Sequence, residues 1–244
     1  MKSINNICYY KDLCLDIHLP EQKNFKTIVH FHGGGLVEGD KTDPYPLFEV
    51  LVSLGYCVVS VNYSMYPNAK FPEYLYDAAN AVKYVKENIS SYGGSSDIYV
   101  GGQSAGAWIA LMLCFNHEYL DSVNIKNSDI KGWISDAAQT TSHFNILEIE
   151  KKTNPWIQRI DETAPIYYVD ENVNFSRILL FTYTNDLPNR VEQNNLFVSA
   201  IKHFNKDADI THITLAGDHC SGTCFKNEKG EFPAITHFKK WMEN

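Results

Sequence analysis

Apolar and polar positions along this chain change period repeatedly, and the changes predict strands alternating with helices. Cys8-Tyr9-Tyr10 and Leu13 to Leu19 alternate apolar with polar residues around Lys11-Asp12, as in an antiparallel hairpin at a sheet edge with one wet face. Thr27 to Phe31, Tyr56 to Val61, Ile98 to Val100, Ile130 to Ser135, Arg177 to Thr184 and Ile210 to Leu215 read as interior strands. Between them the spacing is helical. Asp43 to Leu54 predicts a short helix. Leu75, Ala78, Val82, Val85 and Ile89 mark a second, ended by Gly93-Gly94. Ala107 to Phe115 is an apolar run of helical length, Phe197, Ala200, Ile201 and Phe204 mark another helix, and a final one turns Ala234, Phe238 and Trp241 inward. This order predicts an α/β protein: a mainly parallel sheet with helices on both faces, an N-terminal antiparallel hairpin, and ligands at the C-terminal strand edges. At 244 residues, 1–244 is expected to be one domain. The irregular stretch 139–174, with Pro155, Pro165 and several aromatics, is expected to form a small lid or binding insertion.

The chain is organised around Gly102-Gln103-Ser104-Ala105-Gly106, set where a strand turns into an apolar helix. A serine there adopts a strained backbone, and the flanking glycines remove the Cβ atoms that would collide. Its hydroxyl is expected at the sheet edge, with the amide of Ala105 at a helix start that favours negative charge. Such pentads also occur by chance, and many of their serines only cap a helix.

Two further loops alter the balance. His32-Gly33-Gly34-Gly35 follows the Thr27 to Phe31 strand, and three successive glycines suit a backbone that offers its amides to a developing oxyanion; a plain turn usually needs one. Asp186 and His219, like Ser104, each stand just after a predicted strand. One parallel sheet can bring three such residues together, giving a hydroxyl, a base for its proton and a carboxylate that fixes the tautomer. Asp136, which also ends a strand, and Asp218 compete for the acid position. His30 lies inside a strand and His237 inside a helix, so neither fits as the base.

A formal charge of −8, with no basic run, argues against nucleic acid or an anionic membrane as partner. No apolar stretch is long enough to span a bilayer, and the first residues lack a secretory core, so a cytoplasmic protein is expected. The six cysteines are expected to be reduced and mostly buried. Cys220 and Cys224 after His219 make an incomplete zinc set, so neither metal nor cofactor is expected.

Together His32 to Gly35, the segment Tyr63 to Asp77 with Pro67 and Phe71-Pro72, the elbow 102–106, Asp186 and His219 resemble an α/β-hydrolase of the esterase/lipase group, similar to hormone-sensitive lipase and to small acetyl and feruloyl esterases. The resemblance covers nearly the whole chain. It implies Ser104 as nucleophile, His219 as base and acid, Asp186 as its orienting partner, and the amides of Gly34, Gly35 and Ala105 as the oxyanion hole. It implies a small-molecule ester as substrate and leaves room for a homodimer. Leu36 replaces the tryptophan many relatives carry after the glycines, and the longer N-terminal cap of the hormone-sensitive group is absent. An open site is therefore expected, with pockets lined by Tyr45, Tyr66, the Gln139 to His143 turn and Leu187. The activity implied is hydrolysis of short-acyl, acetyl-like esters of carbohydrate or aryl alcohols. The same apparatus serves arylformamidases and some peptidases, and a hydrolase fold can also persist as an inactive binding protein.

Overall fold

The computed structural model describes residues 2–43 and 45–243. Eight strands form one sheet: β1 (Lys2–Tyr10), β2 (Leu13–Leu19), β3 (Phe25–Phe31), β4 (Cys57–Val61), β5 (Gly94–Gln103), β6 (Gly132–Asp136), β7 (Ile178–Asn185) and β8 (Ile210–Asp218). Their spatial order is β1-β2-β4-β3-β5-β6-β7-β8. β1 and β2 pair antiparallel, as do β2 and β4, and every pair from β4 to β8 is parallel. The α/β class and the antiparallel N-terminal hairpin thus hold.

Helices cover both faces. On one side pack α2 (Glu73–Tyr92), α3 (Ala105–Phe115) and α5 (Arg190–Phe204), and on the other α1 (Leu47–Ser53) and α7 (Ile235–Glu243); α4 (Glu118–Asp121) and α6 (Ser221–Cys224) are single turns. Every residue of α3 is buried, which explains its apolar composition all round. α2 keeps a polar face and ends on Gly93 at φ 99°, whose N–H caps Ile89 and Ser90 carbonyls. Among the described residues no helix is long and apolar enough to cross a membrane.

Several expectations shift in detail. β1 starts at Lys2, because its mostly exposed residues carry no apolar alternation ahead of Ile7. α1 starts at Leu47 instead of Asp43: the Asp40 carboxylate accepts the Thr42 N–H (2.8 Å) and Asp43 accepts the Asp40 N–H (2.8 Å), folding those residues into a turn. Pro44, within the expected helix, lies outside the described residues. The buried side of α5 runs through Arg190, Gln193, Asn194, Phe197 and Ile201, leaving Phe204 exposed. Cys57, Cys114 and Cys220 are buried, but Cys8 is exposed and Cys14 and Cys224 are only half-buried. Cys8 and Cys14 face each other across the wet side of the hairpin.

One charged pair is sealed inside. Lys41 Nζ reaches Asp16 Oδ1 at 2.8 Å and donates to Asn6 Oδ1 at 2.9 Å, joining the hairpin to the segment after the glycines.

Candidate active site

Strand β5 delivers Ser104 into a turn with φ 53° and ψ −113°, outside the regions that side-chain-bearing residues favour. The turn is held by the Ser104 N–H, which donates to the Asp136 carbonyl at 2.8 Å, and by the Trp108 N–H, which donates to the Ser104 carbonyl at 3.0 Å. The hydroxyl makes no capping bond to α3. It lies 2.9 Å from His219 Nε2 instead. That imidazole follows β8, and its Nδ1 stands 2.5 Å from Asp186 Oδ1, after β7. The same carboxylate oxygen accepts the Leu187 N–H at 2.7 Å. The Asp186 side chain is almost wholly buried, 1% exposed, whereas 26% of the His219 side chain stays open to solvent. The carboxylate is therefore held and shielded, and the ring is accessible. Arg190, buried in the first turn of α5, donates from Nη1 to the Ala137 carbonyl at 2.5 Å; burial pulls its pKa down and the nearby Asp186 charge opposes this.

The glycine loop closes the site from the β3 side. Gly33 packs on Ser104: a β-carbon there would lie 3.5 Å from Ser104 Cβ. Gly34, Gly35 and Leu36 follow at φ 100°, 63° and 68°. Their path is fixed by Val37 and Glu38 N–H groups donating to the Gly34 carbonyl (3.1 Å each), by Tyr63 hydroxyl donating to the His32 carbonyl (2.8 Å) and by Asn145 Nδ2 donating to the Gly35 carbonyl (2.5 Å). Among the described residues, the amides of Gly34 and Gly35 meet no protein acceptor. Ala105 heads α3, where an N–H has no partner within the helix.

The competing acids sit elsewhere. Asp218 accepts from Asn185 Nδ2 across the β7–β8 pair. Asp136 is fully buried, and its carboxyl receives the Tyr183 hydroxyl at 2.6 Å and the Thr223 hydroxyl at 2.5 Å, with Tyr45 at 3.5 Å. Tyr183 precedes Asp186 and Thr223 follows His219, so one side chain laces the ends of β6, β7 and β8 together. Burial pushes its pKa up to about 6, against the hydroxyl bonds that lower it. The unfolded chain loses this proton near the ordinary aspartate value and the folded chain near 6, so folding weakens as pH rises through that window. Replacing Asp136 with asparagine removes the buried charge. Relative to the parent, the variant is expected to gain stability by on the order of 2–3 kcal/mol between pH 4 and pH 8, as urea denaturation at the two pH values would show.

The weaker expectations fare less evenly. The Gln139 to His143 turn does not line an open pocket; all five residues are buried, and Gln193 Oε1 binds the amides of Thr140 (2.8 Å) and Thr141 (3.2 Å). Tyr66 sits beside the glycine loop, its N–H donating to the Leu36 carbonyl at 3.0 Å, but the groove it lines with Met65 and Val37 contains none of the three triad residues. Tyr45 lines a cavity with His30, His32, Gly34 and Gln103 that adjoins the site. Leu187 is half-buried next to Asp186. Cys220 is buried with its thiol toward the Asp136 carbonyl (3.9 Å), and Cys224 accepts from Gln103 Nε2 at 2.8 Å. Asn145, which pins Gly35, and the hydroxyls around Asp136 were not foreseen. A polar residue amid aromatics in the irregular stretch was the one available hint for Asn145.

Comparison with known proteins places this geometry. The BD-FAE family model matches residues 15–149, which include the glycine loop and the elbow. Esterase LipQ of Mycobacterium tuberculosis is 40% identical over 81 residues, covering 33% of this chain and 19% of that protein. The chain thus matches about a fifth of that relative's length. Among solved structures, esterase B of Lactobacillus rhamnosis superposes with a TM-score of 0.80 at 13% identity over 99% of this chain and 85% of that one. A truncated carbohydrate esterase from gut microbiota gives 0.75 at 20% identity, over 98% and 95%. With its family model spanning more than half of the residues and its fold shared with esterases throughout, the chain belongs to the BD-FAE family of α/β-hydrolases.

Proposed function

We propose that the protein is a serine carboxylester hydrolase that cleaves short-acyl, acetyl-like esters of carbohydrate or aryl alcohols through an acyl-enzyme. The observation that carries this is the continuous contact from Ser104 through His219 to Asp186, facing a loop whose amides meet no acceptor among the described residues. Ser104 Oγ attacks the ester carbon as His219 Nε2 takes its proton. Asp186 keeps the imidazole in the tautomer that accepts at Nε2 and stabilises the imidazolium. The carbonyl oxygen, now negative, is met by the amides of Gly34, Gly35 and Ala105. Collapse expels the alcohol with the proton from His219, and water repeats the sequence on the acyl-serine. The named activities of the esterase relatives support the ester class, and the carbohydrate esterase neighbour supports the sugar alcohol.

A fluorophosphonate probe is expected to label Ser104 in the folded protein and to leave the denatured chain unlabelled, with mass spectrometry locating the adduct. Labelling at another serine, or none, would refute the assignment. An ester panel varying acyl length and alcohol then reads the preference.

A further inference from the structure

The stretch 139–174 carries an aromatic stack to the rim of the glycine loop. His143 packs edge-on against buried Trp108, and Phe144 stacks on His143 with centroids 4.6 Å apart. Trp156 lies parallel to Phe144, 5.9 Å away at an interplanar angle of 9°. The tip of Phe144 comes within 3.5 Å of where a β-carbon on Gly35 would stand, so the stack starts at the proposed oxyanion amides. Its outer end is wet: Trp156 is 48% exposed, next to exposed Ile157 and Ile160. The other three indoles, Trp108, Trp133 and Trp241, are buried. Half an indole left in water at the end of a stack that begins at Gly35 is an unusual use of a large apolar ring.

The stack is also held rigid. Phe144 N–H donates to Gln139 Oε1 (3.2 Å), Trp156 N–H to Asn154 Oδ1 (2.9 Å) and Ser142 N–H to the Arg159 carbonyl (2.8 Å). Asp161 ties Ser142 Oγ (2.8 Å) and Lys151 Nζ (2.6 Å) into the same unit. Rings fixed before a ligand arrives lose little freedom on binding.

The geometry points to the open face of Trp156, backed by Phe144, as a binding platform for a flat ring carried by the ester substrate. This rests on the proposed esterase chemistry and deepens it. An aromatic ring offers its π-face to the indole and a pyranose its C–H face, and either needs a broad, open aromatic surface a short reach from the carbonyl. The ring can sit on the alcohol or on the acyl part, and substrates separate the two.

Steady-state hydrolysis by the full chain, with ethyl acetate, phenyl acetate, an acetylated methyl xyloside and ethyl cinnamate, tests the platform. In Trp156→Ala, KM is expected to rise about tenfold for the ring-bearing esters with kcat little changed, while ethyl acetate keeps both constants. Trp156→Phe should restore most of the loss. Sensitivity of phenyl acetate or the xyloside assigns the ring to the alcohol side, and sensitivity of ethyl cinnamate to the acyl side. An equal loss on ethyl acetate, or no change on any ring-bearing ester, overturns the platform. If the wild-type chain hydrolyses none of the four, the protein is not such an esterase. The platform is then judged by acrylamide quenching of the exposed indole: shielding by phenyl acetate supports it, and no shielding overturns it.

Discussion

Replacing Ser104 with alanine is expected to lower kcat on a short-acyl ester by roughly five to six orders of magnitude. The size follows from the way the three side chains depend on each other. Without the hydroxyl there is no acyl-enzyme, and the imidazole 2.9 Å away has no proton to take. Only the loop amides and general binding remain, worth a residual of about a thousandfold over water. The thermal midpoint should barely move. Serine and alanine meet the same backbone strain at φ 53°, and the hydroxyl caps nothing. Activity within about tenfold of the parent, in protein free of contaminating esterase, would remove Ser104 from the chemistry.

The second large effect is on stability. Gly106 opens the first turn of α3 against the end of β3, and a β-carbon there would lie 2.0 Å from the Phe31 carbonyl oxygen and 2.5 Å from that of His32. Both obstacles are backbone, so no side chain can swing aside. Gly106→Ala must displace either the helix or the strand leading into the glycine loop. A loss on the order of 3 kcal/mol or more is expected, read as a lower urea midpoint at unchanged slope. Surviving protein should hydrolyse esters poorly, because the same displacement moves Gly34 and Gly35 relative to Ser104. A variant as stable as the parent would mean that the elbow is looser than its contacts indicate.

Much of this arrangement is legible in the residues themselves. Buried parallel strands are apolar on both faces, so β3 and β4 stand out as β-branched runs and β7 as an apolar one, and the residues just beyond such strands gather at one edge. That is how Ser104, Asp186 and His219, far apart in sequence, come to be in contact. What escapes is what polar bonding decides. Asp136 ends a strand as an acid of the triad would, and only its tertiary partners reveal that its carboxyl is taken by the Tyr183 and Thr223 hydroxyls instead of His219 Nδ1. The turn 139–143 looks loop-like and solvated, yet Gln193 on α5 satisfies its amides and allows its burial. Local turn chemistry at Asp40 likewise overrides the apolar spacing that placed a helix start at Asp43. The stacking of Phe144 and Trp156 depends on a chain path with no regular period, so spacing carries no trace of it.

The sealed lysine ties the segment after the glycine loop to the antiparallel hairpin. Asp16 and Asn6 are its counterweights, and peeling the hairpin away would leave a buried ammonium group without its carboxylate just downstream of the glycines. Tags or fusions joined at the hairpin therefore pull on the segment that follows the glycine loop.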